Sequence, residues 1–323
     1  MKKIIPVIIV LCIFISMSLC GCTDNEKLIN SDKMSIVATI FPIYDWTREI
    51  IGTASDNTEL TLLMNNGTDM HSFQPTAADI MKISTCDVLI YVGGESDKWI
   101  DEALKNSVNK NTVVINLLDV LSDRVKNEET VDGMQTENGT EHDEEEKDEH
   151  IWLSLKNAEI ACNEIAKRLA DVDSDNAQSY SENASNYIKL LSELDAEYSK
   201  AVDKARNKTL LFTDRFPFRY LTDDYGIEYY AAFPGCSAET EASFETITFL
   251  ADKINELKLN YVVVLEKSDR RVADTVISNT ASKTQKILTL NSLQSITDEE
   301  EQQGKTYLSV MRDNLKVIEQ ALG

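Results

Sequence analysis

Histidine is scarce in this chain, with three in 323 residues, so the position of each one is informative. Glycine (11) and proline (5) are also few, which excludes a collagen-like or low-complexity chain and favours long regular elements. Basic side chains are outnumbered, 32 Lys and Arg against 55 Asp and Glu, for a formal charge of −23. A nucleic-acid-binding surface needs a basic footprint, so that class is excluded. Catalytic signatures are missing as well: no H-E-x-x-H, G-x-S-x-G or P-loop spacing occurs, and the chain reads as a binding protein, not an enzyme. What is present is ordinary for a folded protein. Hydrophobic residues make up 42%, and at about 100–200 residues per domain the length suggests two domains with a real core.

The amino terminus addresses compartment. Met1-Lys2-Lys3 precedes an uncharged apolar run from Ile4 to Leu19, which ends in Leu19-Cys20-Gly21-Cys22. This is the form of a bacterial lipoprotein signal, with Leu at −3, a small residue at −1 and Cys22 as the lipid acceptor. Residues 1–21 are therefore expected to be a signal peptide and 22–33 a polar tether. The protein would lie outside the cytoplasm, lipid-anchored to the bacterial cell membrane; an uncleaved membrane anchor is the alternative. Cys86, Cys162 and Cys236 would remain beyond the leader, too few and too scattered for a disulfide framework.

From residue 34 onward, strand and helix signals alternate. Strands are expected over 34–40, 59–64, 88–92 and 112–118, with helices at 42–52, 76–85 and 97–108 between them. Residues 122–149 break the pattern with twelve acidic side chains, three basic ones and almost nothing apolar, and read as a solvated, mobile insert. A helix over 156–171 follows. Ala177, Tyr180, Ala184, Tyr187, Leu191, Leu194, Tyr198 and Ala201 then recur at steps of three and four, so one helix of about 33 residues, capped by Ser174, is expected over 173–206. At 1.5 Å per residue it would be roughly 50 Å long, enough to run along two domains. Strands at 209–213, 228–232, 261–265 and 286–290 alternate with helices at 216–225, 243–257, 271–282 and 306–322. The expected fold class is α/β: two Rossmann-like lobes with mostly parallel sheets, residues 34–172 and 207–323, joined by one long helix.

His71 lies in the loop Asp69-Met70-His71-Ser72-Phe73-Gln74-Pro75, between a strand and a helix, at the edge of an α/β sheet where ligands bind. His150 opens His150-Ile151-Trp152-Leu153-Ser154 directly after the acidic insert. The lipobox, the D-x-H-x-x-x-P loop, the acidic insert, H-x-W-L-S and the long helix occur in that order. Together they resemble the solute-binding lipoproteins of zinc and manganese ABC importers, the ZnuA/TroA-like group, over essentially the whole mature chain. The resemblance implies that His71 and His150 are the first two metal ligands, that the cargo is Zn²⁺ with Mn²⁺ as the alternative, and that the partner is an ABC permease. It implies a monomer that moves little on binding. It also brings a second function to weigh, a surface adhesin, since some relatives were first described that way.

The second lobe departs from the pattern. Five residues before Tyr220, where the resemblance implies a third ligand, stands Arg215, whose guanidinium stays protonated and cannot bind a metal. The usual aspartate of a D-S pair is Asn291, before Ser292. Two readings remain open. In one, His71 and His150 are joined by Glu266 and Asn291, with Asp214, Cys236, Glu239 and Glu241 as further cleft candidates; cysteine in such a set would favour zinc. In the other, Arg215 holds an anion and the cleft has changed ligand. Cys236 reads equally as a small buried thiol, and His142 in the insert as either a weak auxiliary metal site or part of a solvated loop.

Overall fold

The computed structural model describes residues 33–136, 146–237, 241–294 and 296–323. The expected signal, the expected lipid acceptor Cys22, His142 and Glu239 lie outside these residues.

Among the described residues, eight strands form two four-stranded sheets, all parallel. The first holds β1 (Met34–Ala38), β2 (Thr58–Leu62), β3 (Val88–Tyr91) and β4 (Val113–Asn116), in the order β2-β1-β3-β4. The second holds β5 (Thr209–Phe216), β6 (Glu228–Pro234), β7 (Tyr261–Leu265) and β8 (Lys286–Leu290), in the order β6-β5-β7-β8. The winding is therefore the same twice. In each sheet the chain leaves its first strand to one side and returns to the other, which opens a crevice at the carboxyl ends of the strands.

The helices α1 (Phe41–Ile51), α2 (Ala77–Thr85) and α3 (Lys98–Lys105) in the first lobe, and α5 (Leu155–Val172) after them, follow the sequence reading closely. The short α4 (Leu117–Val120) takes the end of the strand expected over 112–118, because Asn116 accepts from Leu118 N–H and Asp119 N–H and caps a helical turn there. The long helix α6 spans Ala177–Lys204, 28 residues or about 42 Å. It is shorter than expected because Ser174 is no cap. Ser174–Asn176 forms a separate 3₁₀ turn, and the Asp173 carboxylate accepts hydrogen bonds from Asn176 and from the Tyr180 hydroxyl, holding that turn before α6 begins. Tyr180, Ala184, Tyr187, Leu191, Leu194, Tyr198 and Val202 are its buried stripe. Its first half is tied to the first lobe, where Asn183 donates to the Ile50 carbonyl at 3.0 Å. Its second half is tied to the other, where Tyr198 donates to the Met311 carbonyl at 2.6 Å. One apolar core follows it through both sheets, from Ile36 and Trp46 to Phe212 and Leu290.

The second lobe adds α7 (Arg219–Tyr225), α8 (Phe244–Leu257), α9 (Arg271–Asn279), α10 (Asp298–Gln302) and α11 (Tyr307–Leu322). One expectation fails here for a physical reason. The helix expected from Phe216 starts three residues later, because Pro217 pushes the residue before it into extended backbone and β5 continues through Phe216. Moreover β5 slips one residue against β6 between Phe212 and Arg215, a bulge that re-aims the strand's end.

The acidic insert is less free than its composition suggests. Asn127 bridges Lys147 in antiparallel fashion, and Asp148 donates its N–H to the Lys126 carbonyl. The Tyr220 hydroxyl accepts from Lys126 N–H and donates to the Asp148 carbonyl. On the outgoing limb Gln135 donates its N–H to the Ala232 carbonyl, so the described part of the insert is bound across the second lobe. Apart from its carboxylates, the segment makes ordinary backbone pairs at both ends, and these fix the approach to His150.

Candidate metal centre

Each histidine is set by its own backbone. His71 lies in a 3₁₀ turn, Met70–Ser72, beyond the carboxyl end of β2, where Asp69 caps the turn by accepting from His71 N–H at 3.0 Å. His150 precedes a second 3₁₀ turn, Ile151–Leu153, and its N–H donates to Asp148 Oδ1 at 2.8 Å. The same local device, an aspartate two residues ahead, therefore orients both histidines.

The rings meet. His71 Nε2 and His150 Nε2 are 3.1 Å apart, in a cleft where the His150 side chain is fully buried and that of His71 is 12% exposed. The other nitrogen of each ring is already engaged. Asp148 Oδ1 lies 2.9 Å from His150 Nδ1, and Ser96 Oγ lies 3.0 Å from His71 Nδ1 with Glu149 Oε2 at 3.7 Å. In the tautomer that aims both Nδ1 protons at these oxygens, both Nε2 atoms present lone pairs. The Gln294 amide, 3.1 Å from His71 Nε2, donates toward the same lone pair. Burial, reinforced by the neighbouring His150, holds the His71 pKa at about 3, so its ring is neutral at neutral pH. Two facing lone pairs repel unless a cation lies between them. A zinc ion with Zn–N bonds of about 2.0–2.1 Å and near-tetrahedral angles spans about 3.3 Å between nitrogens, close to the separation seen.

The second lobe closes the site with the ends of its strands. Arg215, on the bulged end of β5, donates from Nη2 to Asp69 Oδ2 at 2.6 Å across the cleft. Burial raises the Asp69 carboxyl, but the Arg215 charge outweighs it and holds that pKa below the usual carboxylate range. Cys236, two residues past β6, completes a group with His71 and His150 in which one ligand atom from each lies within 4.8 Å of the others. Gly235 permits this approach: a Cβ there would stand 3.0 Å from His150 Cε1 and 2.9 Å from the Phe216 carbonyl. Burial first, and then the carboxylates of Glu128 and Asp148, push the Cys236 thiol well above its ordinary pKa.

Glu266 and Asn291 both hold the loop after β8. Glu266 lines the cleft, but both its oxygens accept from Ser292, from N–H at 2.9 Å and Oγ at 2.8 Å, so it anchors the loop after β8. Asn291 turns the same loop: its Oδ1 accepts from Leu293 N–H, and its carbonyl accepts from Asn314. Asp214 lines the cleft and accepts from Arg215 N–H, while Glu241 is exposed beyond it and its carbonyl accepts from Gln135. Ser96, Asp148, Glu149 and Gln294 escaped sequence reasoning. The signal for Asp148 was available, since Asp148-Glu149-His150 repeats the D-x-H of Asp69-Met70-His71.

The cleft has a volume of about 530 Å³, far more than one ion fills. Trp152 is buried behind His150, with ring centroids 5.3 Å apart, and its indole N–H donates to the Ser292 carbonyl of the second lobe at 2.8 Å.

A family profile described as "Zinc-uptake complex component A periplasmic" (ZnuA) matches residues 36–321. The chain belongs to this family. It is 30% identical over 321 residues to the zinc-binding lipoprotein AdcA of Streptococcus pneumoniae (strain ATCC BAA-255 / R6), covering 99% of this chain and 61% of AdcA. It is 27% identical over 334 residues to the high-affinity zinc uptake system protein ZnuA of Bacillus subtilis (strain 168), covering 99% of this chain and 98% of that one. The crystal structure of the Zn(II)-bound ZnuA-like domain of Streptococcus pneumoniae AdcA superposes with a TM-score of 0.70 at 28% identity, over 90% of this chain and 99% of that domain. This chain thus spans about three-fifths of the length of AdcA and nearly all of its ZnuA-like domain.

Proposed function

We propose that this ZnuA-family chain captures a divalent cation, zinc before manganese, between His71 and His150 and delivers it to an ABC permease. Cys22 would carry the lipid that keeps the protein at the outer face of the cell membrane, and a monomer suffices for the hand-over. The observation that carries the reading is the pair of Nε2 atoms 3.1 Å apart, each ring fixed from behind by an oxygen partner. Such a pair is a site for a first-row cation that accepts neutral imidazole. The names of AdcA and of the Bacillus ZnuA, with the zinc-bound structure of the former, supply the choice of metal. Arg215 supports the metal reading over the anion reading, because its guanidinium is committed to Asp69.

Titration of the metal-free protein with Zn²⁺ by calorimetry should give one ion per chain. Zinc at a hundredfold excess over Kd should stabilise the fold by about 2.7 kcal/mol. His71→Ala and His150→Ala should each abolish that protection. Identical melting temperatures with and without zinc in the unaltered protein would overturn the assignment.

A further inference from the structure

We infer that Cys236 is the third protein ligand, so that the cation is held by two imidazole nitrogens and one thiolate; this rests on the metal-binding reading above. Among the described residues, His71, His150 and Cys236 form the group of metal-ligating side chains that converges, with one donor atom of each within 4.8 Å of the others. Bonds of about 2.3 Å to sulfur and 2.0–2.1 Å to nitrogen at tetrahedral angles place sulfur about 3.5 Å from each nitrogen, so closing the shell asks for little more than 1 Å of movement. The local chain is built for the approach. β6 ends at Pro234, and Gly235 lets the backbone lie against the His150 ring, where any Cβ would collide with Cε1 and with the Phe216 carbonyl. Cys236 N–H donates to Glu128 Oε1 at 3.0 Å, which fixes the residue from the insert side.

The neighbouring strand shows why a ligand is needed here. Arg215 pairs with Phe233 in register at the end of β5 and turns its guanidinium to Asp69, so at this position β5 offers the ion a fixed positive charge and no donor, while the Asp214 carboxylate beside it accepts from Arg215 N–H and Leu265 N–H. The second lobe's contribution to the ion moves one strand over, to the end of β6. On binding, the thiol proton leaves to solvent and the sulfur lone pair forms the bond to the cation. A sulfur donor favours zinc over manganese, which prefers oxygen.

Cobalt(II) reads this directly, because thiolate ligation gives an intense near-ultraviolet sulfur-to-cobalt transition that nitrogen ligands alone do not. The full-length protein should show that band on Co²⁺ titration. Cys236→Ser should lose it while keeping its circular dichroism and weaker binding through the histidines, with zinc Kd raised tenfold or more. Cys236→Asp, which offers oxygen, should lower the preference for Zn²⁺ over Mn²⁺ at least tenfold. Cobalt binding without the band, or a Cys236→Ser protein that keeps the band or the full zinc affinity, overturns the cysteine assignment and leaves the histidine site standing. No cobalt or zinc binding by the unaltered protein overturns both.

Discussion

Asp148 shows how much of the site is decided by residues that never touch the ion. One oxygen, Oδ1, accepts from both the backbone N–H and the Nδ1 of His150, so it sets the turn and the tautomer together. Asparagine can keep that oxygen and loses only the charge, whereas alanine loses both contacts. The zinc affinity measured by calorimetry should therefore fall in the order wild type, Asp148→Asn, Asp148→Ala, with the alanine variant about 10–100-fold weaker. An alanine variant that binds as tightly as wild type would show that packing against Trp152 alone orients the ring. At this scale the sequence was half legible. His71 and His150 stood out because histidine is so rare, but Asp148 was hidden among the other carboxylates of its run. Gln294 was hidden because an amide in a polar loop has no spacing that distinguishes it. Cys236 was visible as a candidate, yet only the collision-free approach at Gly235 separates a ligand from a small buried thiol.

At the scale of elements, periodicity located the eight described strands and the longer helices but not the short α4 and α10, and the errors fall where side chains redirect the backbone. The Asp173 turn shortened α6, and the bulge in β5 placed Arg215 on a strand, because neither feature leaves a periodic trace. The turn after β3 carries a testable consequence of the same kind. Asp97 is buried there and accepts from Val92 N–H and Gly93 N–H, while its other oxygen has no hydrogen-bond partner. Burial, together with the nearby charge of Glu149, raises its pKa to about 7 against those two donors. Between the unfolded value near 3.8 and about 7, the folded chain holds a proton that the unfolded chain has released. Stability of the metal-free protein should consequently fall as pH rises through that window, by roughly 1–4 kcal/mol from this group. Asp97→Asn keeps an oxygen for the two N–H groups and cannot ionise. In urea unfolding at pH 4.5 and 7.5 it should lack this part of the slope. A slope as steep as that of the unaltered protein would assign the effect to other carboxyls.

For the molecule as a whole, two sheets of identical winding and one helix along both were legible from alternation and length, but the ties across the cleft were not, since they join residues more than a hundred positions apart. Trp152 is the centre of these ties. Its indole N–H reaches the Ser292 carbonyl in the loop that carries Gln294, and its own carbonyl accepts from the fully buried Tyr307 hydroxyl at 2.7 Å. Tyr307 N–H in turn donates to Asp45 Oδ2 at 2.8 Å, so α1, the His150 turn and α11 are linked in one chain of hydrogen bonds. Tyr307→Phe removes one hydroxyl and leaves the Trp152 carbonyl buried without that donor, at a cost of about 1–2 kcal/mol. If the lobes are held at the spacing the ion needs by this chain, the variant should lose that stability without metal and also bind zinc more weakly, by about three- to tenfold. The second effect is the informative one, because Tyr307 touches no ligand and its ring is retained. Destabilisation with unchanged zinc affinity would instead mean that α6, packed along both lobes, fixes the distance between His150 and the second lobe without help from the cleft.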